Sequence, residues 1–238
     1  MSSLHPKNAA IQNCRWHRFD NVAELEHAAA AEILRFAQQT IKASGAFHIA
    51  LAGGTTPRKV YEALRDAKTD WASWHVYFGD ERCLPDEHTE RNSRMAALAW
   101  LNHVAIPAAQ IHPIAAEEGA SLAAEKYARV VKKIESFDLV LLGLGEDGHT
   151  ASLFPGHDAG DSPDSPDTLA VMDAPKLPPQ RISLSANRLS KACRVIFLVT
   201  GNGKAQAVKN WRSGVSIPAA KITPENGVDI YIEATLLN

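Results

Sequence analysis

From Val22 through Leu25, Ala29, Ile33, Leu34, Phe36, Ala37 and Ile41 the apolar positions recur at three- and four-residue intervals, the spacing that buries one face of an α-helix. Asn21 followed by Glu24 has the spacing of a capping arrangement and Gly45 closes the run, so the pattern predicts one long amphipathic helix. The period then changes. Residues 46–52 (AFHIALA) are a short continuous apolar run that ends in Gly53-Gly54-Thr55-Thr56-Pro57. This predicts a buried strand entering a glycine turn, with Pro57 in the first turn of the next helix. Further along, His75–Phe78, Phe137–Leu144, Arg194–Val199 and Val228–Glu233 read as strands, and Ser93–Leu101, Ala120–Glu135 and Lys204–Trp211 as helices.

Strands separated by helical stretches of this length require crossover connections, so the expected fold class is α/β, with a mostly parallel sheet flanked by helices on both faces. Residues 157–167 (HDAGDSPDSPD) interrupt the alternation, and three more prolines follow between Ala174 and Pro179. The first stretch is too polar and proline-rich to pack and reads as an exposed loop, because strand-like sequence resumes on both sides. A length of 238 residues with 45% hydrophobic content can bury a sizeable core, and the expected organisation is a single domain over residues 1–238 without internal repeats.

Charge and cysteine content remove several classes of function. Lys and Arg number 25 against 27 Asp and Glu, a net of -2, so there is no basic excess for nonspecific nucleic-acid binding. Cys14, Cys83 and Cys193 are odd in number, widely spaced and without a CxxC, which fits neither a disulfide framework nor a zinc cluster and points to a reducing compartment. Met1–Ala10 has no apolar run of the secretory kind, and no stretch approaches about eighteen consecutive apolar residues. The expectation is a soluble, cytoplasmic protein with no nucleic-acid or membrane partner, either a monomer or a small homo-oligomer.

In an open α/β sheet, ligands bind at the carboxyl ends of the strands, and three loops in such positions have unusual chemistry. Gly53-Gly54-Thr55-Thr56-Pro57-Arg58 offers glycines that let amides approach an anion, two hydroxyls, a helix N-terminus and a guanidinium. It reads either as a phosphate cradle or as an ordinary capped helix. Gly79-Asp80-Glu81-Arg82 follows a strand directly; it reads either as a solvated turn or as a guanidinium aimed at an anion beside an acid that orients a substrate hydroxyl. Gly143-Leu144-Gly145-Glu146-Asp147-Gly148-His149 sets a histidine near an aspartate in a glycine-rich turn, a pairing suited to general acid–base work because imidazole titrates near neutrality.

That third loop also matches GxGxxG through Gly143, Gly145 and Gly148, and Asp173 stands where a ribose-binding acid could. A dinucleotide site needs a full crossover helix after the third glycine, whereas Pro155-Gly156 arrives at once. No GxSxG elbow, HExxH or Walker A loop occurs, and His149 and His157 make a poor metal pair. No metal and no cofactor are expected.

Taken together and in this order, the stretches at Leu51–Leu64 (LAGGTTPRKVYEAL), 77–85 (YFGDERCLP) with His88, Asn92 and Ser93, and Phe137–Gly156 (FDLVLLGLGEDGHTASLFPG) resemble the 6-phosphogluconolactonase family. Weaker matches lie at Arg181–Leu184 and Val199–Val208. The resemblance implies the fold shared with sugar-phosphate isomerases and deaminases. It also implies hydrolysis of 6-phospho-D-glucono-1,5-lactone to 6-phospho-D-gluconate in the oxidative pentose phosphate pathway. His149 would be the general base, Asp147 its orienting partner, and Gly53, Gly54, Thr55, Thr56, Arg58, Arg181 and Lys204 the phosphate site. Arg82 would serve the phosphate or the developing oxyanion, and Asp80 a substrate hydroxyl. The related glucosamine-6-phosphate deaminases carry a glutamate shortly after the DGH turn, where this chain reads Thr150-Ala151-Ser152-Leu153-Phe154-Pro155. Two further readings are a noncatalytic sugar-phosphate sensor and a nicotinamide-dependent oxidoreductase. Little chain precedes the first expected strand, and it shows no basic helix-turn-helix pattern of the kind a sensor would append.

Overall fold

The computed structural model describes residues 12–237; the Met1–Ala10 reading lies outside that range. The first described element is strand β1 (Cys14–Phe19), earlier than the first expected strand, and it leads into helix α1 (Val22–Ser44). The helix starts where the sequence places it. The Asn21 side chain accepts from the Glu24 amide at 2.9 Å, while the Glu24 carboxylate accepts from the Asn21 side-chain amide at 2.9 Å and the Asp20 amide at 3.3 Å. These bonds satisfy donors that a helix N-terminus leaves unpaired. Gly45, at φ 83°, ends the helix with its amide donating to the Ile41 carbonyl. The buried stripe is Leu25, Ala29, Ala30, Ile33 and Ala37.

Strand β2 (Phe47–Leu51), helix α2 (Thr55–Ala63), strand β3 (Trp74–Phe78), short strand β4 (Asp80–Arg82), helix α3 (Asn92–Ala99) and helix α4 (Ala120–Val131) follow. The remainder is β5 (Phe137–Gly143), β6 (Thr168–Val171), β7 (Arg181–Leu184), α5 (Ala186–Ser190), β8 (Ala192–Val199), α6 (Ala205–Arg212) and β9 (Val228–Glu233). Six strands pair in the order β1-β9-β8-β5-β2-β3, every neighbouring pair parallel. Central strands of such a sheet are covered on both faces, which is why Leu139–Leu142 and Val195–Val199 are apolar without alternation and fully buried. Among the described residues, no helix is long and apolar enough to cross a membrane.

The strand order reverses at β2: the chain moves outward to β3, then returns to place β5 on β2's other side. That reversal opens a crevice at the carboxyl ends of β2 and β5.

Two expectations change. Asp80–Arg82 is not a strand-end loop but the first strand of a second, antiparallel sheet, β4-β7-β6, with Asp80 opposite Ser183 and Arg82 opposite Arg181. Gly79 is the joint, its amide donating to Leu51 of the main sheet and its carbonyl accepting from Leu184 of the small one. Strands of three and four residues are too short to show a period. The loop at 157–167 is also less exposed than its composition suggests. Asp161–Asp164 face solvent, but Ala159 is buried, and the carbonyls of Ala159 and Gly160 accept from Ala186 and Asn187 at the start of α5.

Candidate active site

The crevice is a cavity of about 480 Å³ walled by the loops after β2, β3, β5 and β8 and by the β6–β7 connection. The β2 loop turns into α2 at Gly54, whose φ of 108° favours glycine, and it is held from behind by buried Tyr61, which donates to the Ala52 carbonyl at 2.9 Å. Gly53 must also lack a side chain, since a Cβ there would lie 2.0 Å from the Asn92 amide oxygen. Gly54, Thr55 and Thr56 bring the N-terminal, positive end of α2 to the cavity. The Thr56 hydroxyl bonds that of Thr200 at 2.6 Å, tying this loop to the end of β8.

Opposite lies the DGH turn. Its backbone folds back on itself, with Gly145 N–H donating to the His149 carbonyl at 2.7 Å and the Thr150 hydroxyl to Gly143 at 2.8 Å. The His149 Nδ1 edge lies 2.5 Å from Asp147 Oδ1, which also accepts from the His149 amide at 3.1 Å. An Nδ1–H bonded to a carboxylate fixes the tautomer and leaves Nε2 with a free lone pair. The ring is confined on its faces too. A Cβ on Gly145 would come within 1.9 Å of Nδ1, and the Phe154 ring sits 4.8 Å from the imidazole between centroids.

Electrostatics favour the neutral ring. Burial pushes the His149 pKa down and outweighs the upward pull of Asp147. Burial works against the Asp147 carboxylate, but its bonds from His149 prevail and hold it below the usual carboxylate range. Both directions favour a neutral imidazole beside an ionised carboxylate.

Asp80 lines the cavity with its carboxylate already oriented, Oδ2 accepting from the Ser152 hydroxyl at 2.6 Å and Oδ1 from the Asn92 side chain at 2.9 Å. It is the only acidic residue on the cavity wall among the described residues. Its neighbour Glu81 has a different job. Fully buried, Glu81 accepts from the backbone amides of Asn92 and Ser93 and from the Ser93 hydroxyl, capping the start of α3 and fixing Asn92 behind Gly53.

The structure divides the expected cations. Arg82, Arg181 and Lys204 reach the cavity wall, and burial lowers the Lys204 pKa against the opposing pull of Glu146. Arg58 is not brought to the cavity: on the outer face of α2 it lies 3.8 Å from Glu62, one turn on, with nearly half of its side chain exposed. Its place in the sequence next to the cradle does not translate into a place in the cavity, because a helix carries successive side chains to different faces. Arg181 is largely committed elsewhere. Its Nε donates to the Pro178 carbonyl and its Nη2 to those of Lys176 and Leu177. Sequence reasoning assigned no role to Lys176, Thr200 or Asn92, which lie on the wall. The proline-rich composition around Lys176 reads as loop and nothing more, and Asn92 enters only as part of the stretch that carries the family resemblance.

The GxGxxG reading is closed by the fold. No helix opens after Gly148, where Thr150 and Leu153 bridge in a tight turn, and Asp173 is exposed and 3.6 Å from His157. Among the described residues, no group of three or more His, Cys, Asp or Glu side chains is placed to hold a metal ion.

Residues 20–231 match the family described as glucosamine-6-phosphate isomerases/6-phosphogluconolactonase. A 6-phosphogluconolactonase of Synechocystis is 40% identical over 169 residues, covering 67% of this chain and 69% of its own. One of Mycobacterium tuberculosis is 37% identical over 197 residues, 76% of this chain and 79% of the relative. Among solved structures, 6-phosphogluconolactonase from Trypanosoma brucei superposes with a TM-score of 0.85 at 26% identity, covering 94% of this chain and 98% of that one.

Proposed function

The chain belongs to the glucosamine-6-phosphate isomerase/6-phosphogluconolactonase family, and from that membership and the cavity we infer that it hydrolyses 6-phospho-D-glucono-1,5-lactone to 6-phospho-D-gluconate. One observation carries the reading of the cavity as a hydrolytic site for an anionic lactone. His149, its Nδ1 held by Asp147 and its Nε2 free, lines a cavity whose wall also carries Lys204, Arg82 and the start of α2.

A lactone is an activated ester, so the protein needs to position water and relieve charge rather than supply a covalent nucleophile. In this reading Nε2 of His149 takes a proton from water as the oxygen attacks C1. The imidazolium, stabilised by Asp147, returns that proton to the ring oxygen as the C1–O bond breaks. Asp80, with lone pairs left beyond its two internal bonds, accepts from a sugar hydroxyl. Lys204 and the amides and hydroxyls of Gly54–Thr56 hold the phosphate, and Arg82 adds a further positive charge toward the anionic substrate.

The deaminase reading lacks its carboxylate. After His149 the chain supplies Thr150 and the buried Ser152, Leu153 and Phe154, and Asp80 is the one acid on the described wall. We place the enzyme in the cytoplasm on its three free cysteines, and in the pentose phosphate pathway on its substrate. The test is turnover of lactone generated in situ by glucose-6-phosphate dehydrogenase, with spontaneous hydrolysis subtracted. Acceleration by the wild type that is lost in His149→Ala supports the assignment; equal acceleration by the two removes His149 from the chemistry, and no acceleration by the wild type refutes the activity.

A further inference from the structure

The β6–β7 connection delivers a cation to the cavity that the mechanism above leaves unused. Lys176 and Leu177 line the same wall as His149 and Lys204. The segment has little packing of its own, with Leu177 88% exposed. Its shape comes instead from Arg181, the first residue of β7 and only 5% exposed, whose guanidinium donates to three successive carbonyls, those of Lys176 at 2.9 Å, Leu177 at 3.1 Å and Pro178 at 3.1 Å. The Ala174 amide closes the base of the loop on the Pro179 carbonyl at 2.9 Å. The Arg181 guanidinium also lies over the Phe154 ring at 5.5 Å, and Phe154 is the residue packed on the His149 imidazole.

A backbone fixed in this way leaves only side-chain freedom for Lys176 to lose on binding. Neither Lys176 nor Lys204 forms an ion pair among the described residues, and the charge of Lys176 presses against the protonated forms of both Lys204 and His149. Unpaired cations that repel one another across a cavity are relieved by an anion placed between them.

We propose that Lys176 is a selectivity-determining residue that binds the substrate's phosphate together with Lys204, and that Arg181 is the positioning residue that holds it there. This rests on the reading of the cavity as a phosphosugar-lactone site. It also reassigns Arg181, whose donors on Nε and Nη2 serve the loop rather than the ligand.

The experiment compares kcat/KM for 6-phosphogluconolactone and for unphosphorylated glucono-1,5-lactone in wild type, Lys176→Gln, Arg181→Lys and the double variant. Lys176→Gln should lower the ratio of the two on the order of tenfold, mainly through KM for the phosphorylated substrate. Arg181→Lys keeps the charge but cannot span three carbonyls; it should lower the ratio similarly, and the double variant should fall no further. An unchanged ratio in Lys176→Gln overturns the proposal for Lys176. Multiplicative losses in the double variant overturn the positioning role of Arg181 and make it a direct ligand. Should Arg181→Lys fail to fold, the exposed Lys176→Gln decides the first point alone. Calorimetric titration with 6-phosphogluconate separates this inference from the activity itself. If wild type turns over no lactone, the proposed activity falls, while Lys176 still stands or falls on whether its replacement weakens 6-phosphogluconate binding about tenfold.

Discussion

Replacing Gly145 by alanine tests whether the catalytic arrangement depends on where the imidazole is held. Gly145 is not among the glycines with positive φ, so alanine costs the backbone nothing special. The added Cβ would stand 1.9 Å from His149 Nδ1, 2.2 Å from Cε1 and 2.6 Å from Cγ. Non-bonded heavy atoms need about 3.5 Å, so the ring must retreat by well over 1 Å. The Asp147–His149 bond, now 2.5 Å, does not survive a displacement of that size. Misplacing a catalytic group by about 1 Å costs on the order of a hundredfold. Gly145→Ala should therefore lose about a hundredfold in kcat and approach the rate of His149→Ala. Its KM should stay close to that of wild type, because Lys204 and the start of α2 are carried by other loops. Initial rates on in situ generated lactone, with the background subtracted, give both constants. A variant that keeps its melting temperature and stays within about threefold of wild type in kcat would show that the position of this imidazole does not limit the reaction.

Other expectations follow from the same contacts. His149→Ala should lose about 10²- to 10⁴-fold in kcat, the usual range for a general base. The acid limb of kcat/KM should lie below the ordinary histidine value of 6.5, because burial lowers this pKa. Asp147→Asn removes the carboxylate that favours the imidazolium, so it should move that limb to still lower pH while reducing the plateau; a pH–rate profile of both proteins checks the direction. Away from the site, Asp229 on β9 accepts from Arg15 at 2.8 Å, His17 at 2.7 Å and Arg194 at 2.8 Å. Burial alone would raise its pKa, but these bonds prevail and hold the carboxyl well below the usual carboxylate range. A depressed folded pKa contributes stability that is complete above the ordinary value of 3.8 and is lost as pH falls through the folded one. Asp229→Asn should cost about 3 kcal/mol at neutral pH, a difference from wild type that denaturant titrations should show shrinking in strong acid.

Much of this was legible along the chain. The long helix announces both its ends through Asn21, Glu24 and Gly45, whose bonds are local and need no tertiary partner. The parallel strands are visible because burial on both faces leaves unbroken apolar runs. The DGH turn is legible for a related reason: Asp147 and His149 are two residues apart, so a single turn brings their side chains together whatever the rest of the chain does. Strand β1 was not visible, since the apolar/polar alternation of Cys14–Phe19 breaks at Arg18-Phe19 and no residue of this edge strand is fully buried, and the pairing of β4, β7 and β6 into an antiparallel sheet was not, since strands of three and four residues are too short to show a period.

What the sequence determined by itself is the set of groups whose geometry is local: the α/β alternation, the glycine turn before α2, and the aspartate that orients the histidine. The tertiary structure decided which charges face the cavity. Arg58, adjacent to the cradle in sequence, turns outward to Glu62, while Lys176, in a loop whose composition signals nothing, reaches the wall because a buried arginine holds its backbone. A side chain's direction on a helix or in a loop is set by what packs against it, and those partners come from distant parts of the chain. A net charge of -2 thus coexists with a cluster of cations that forms only when the strands assemble.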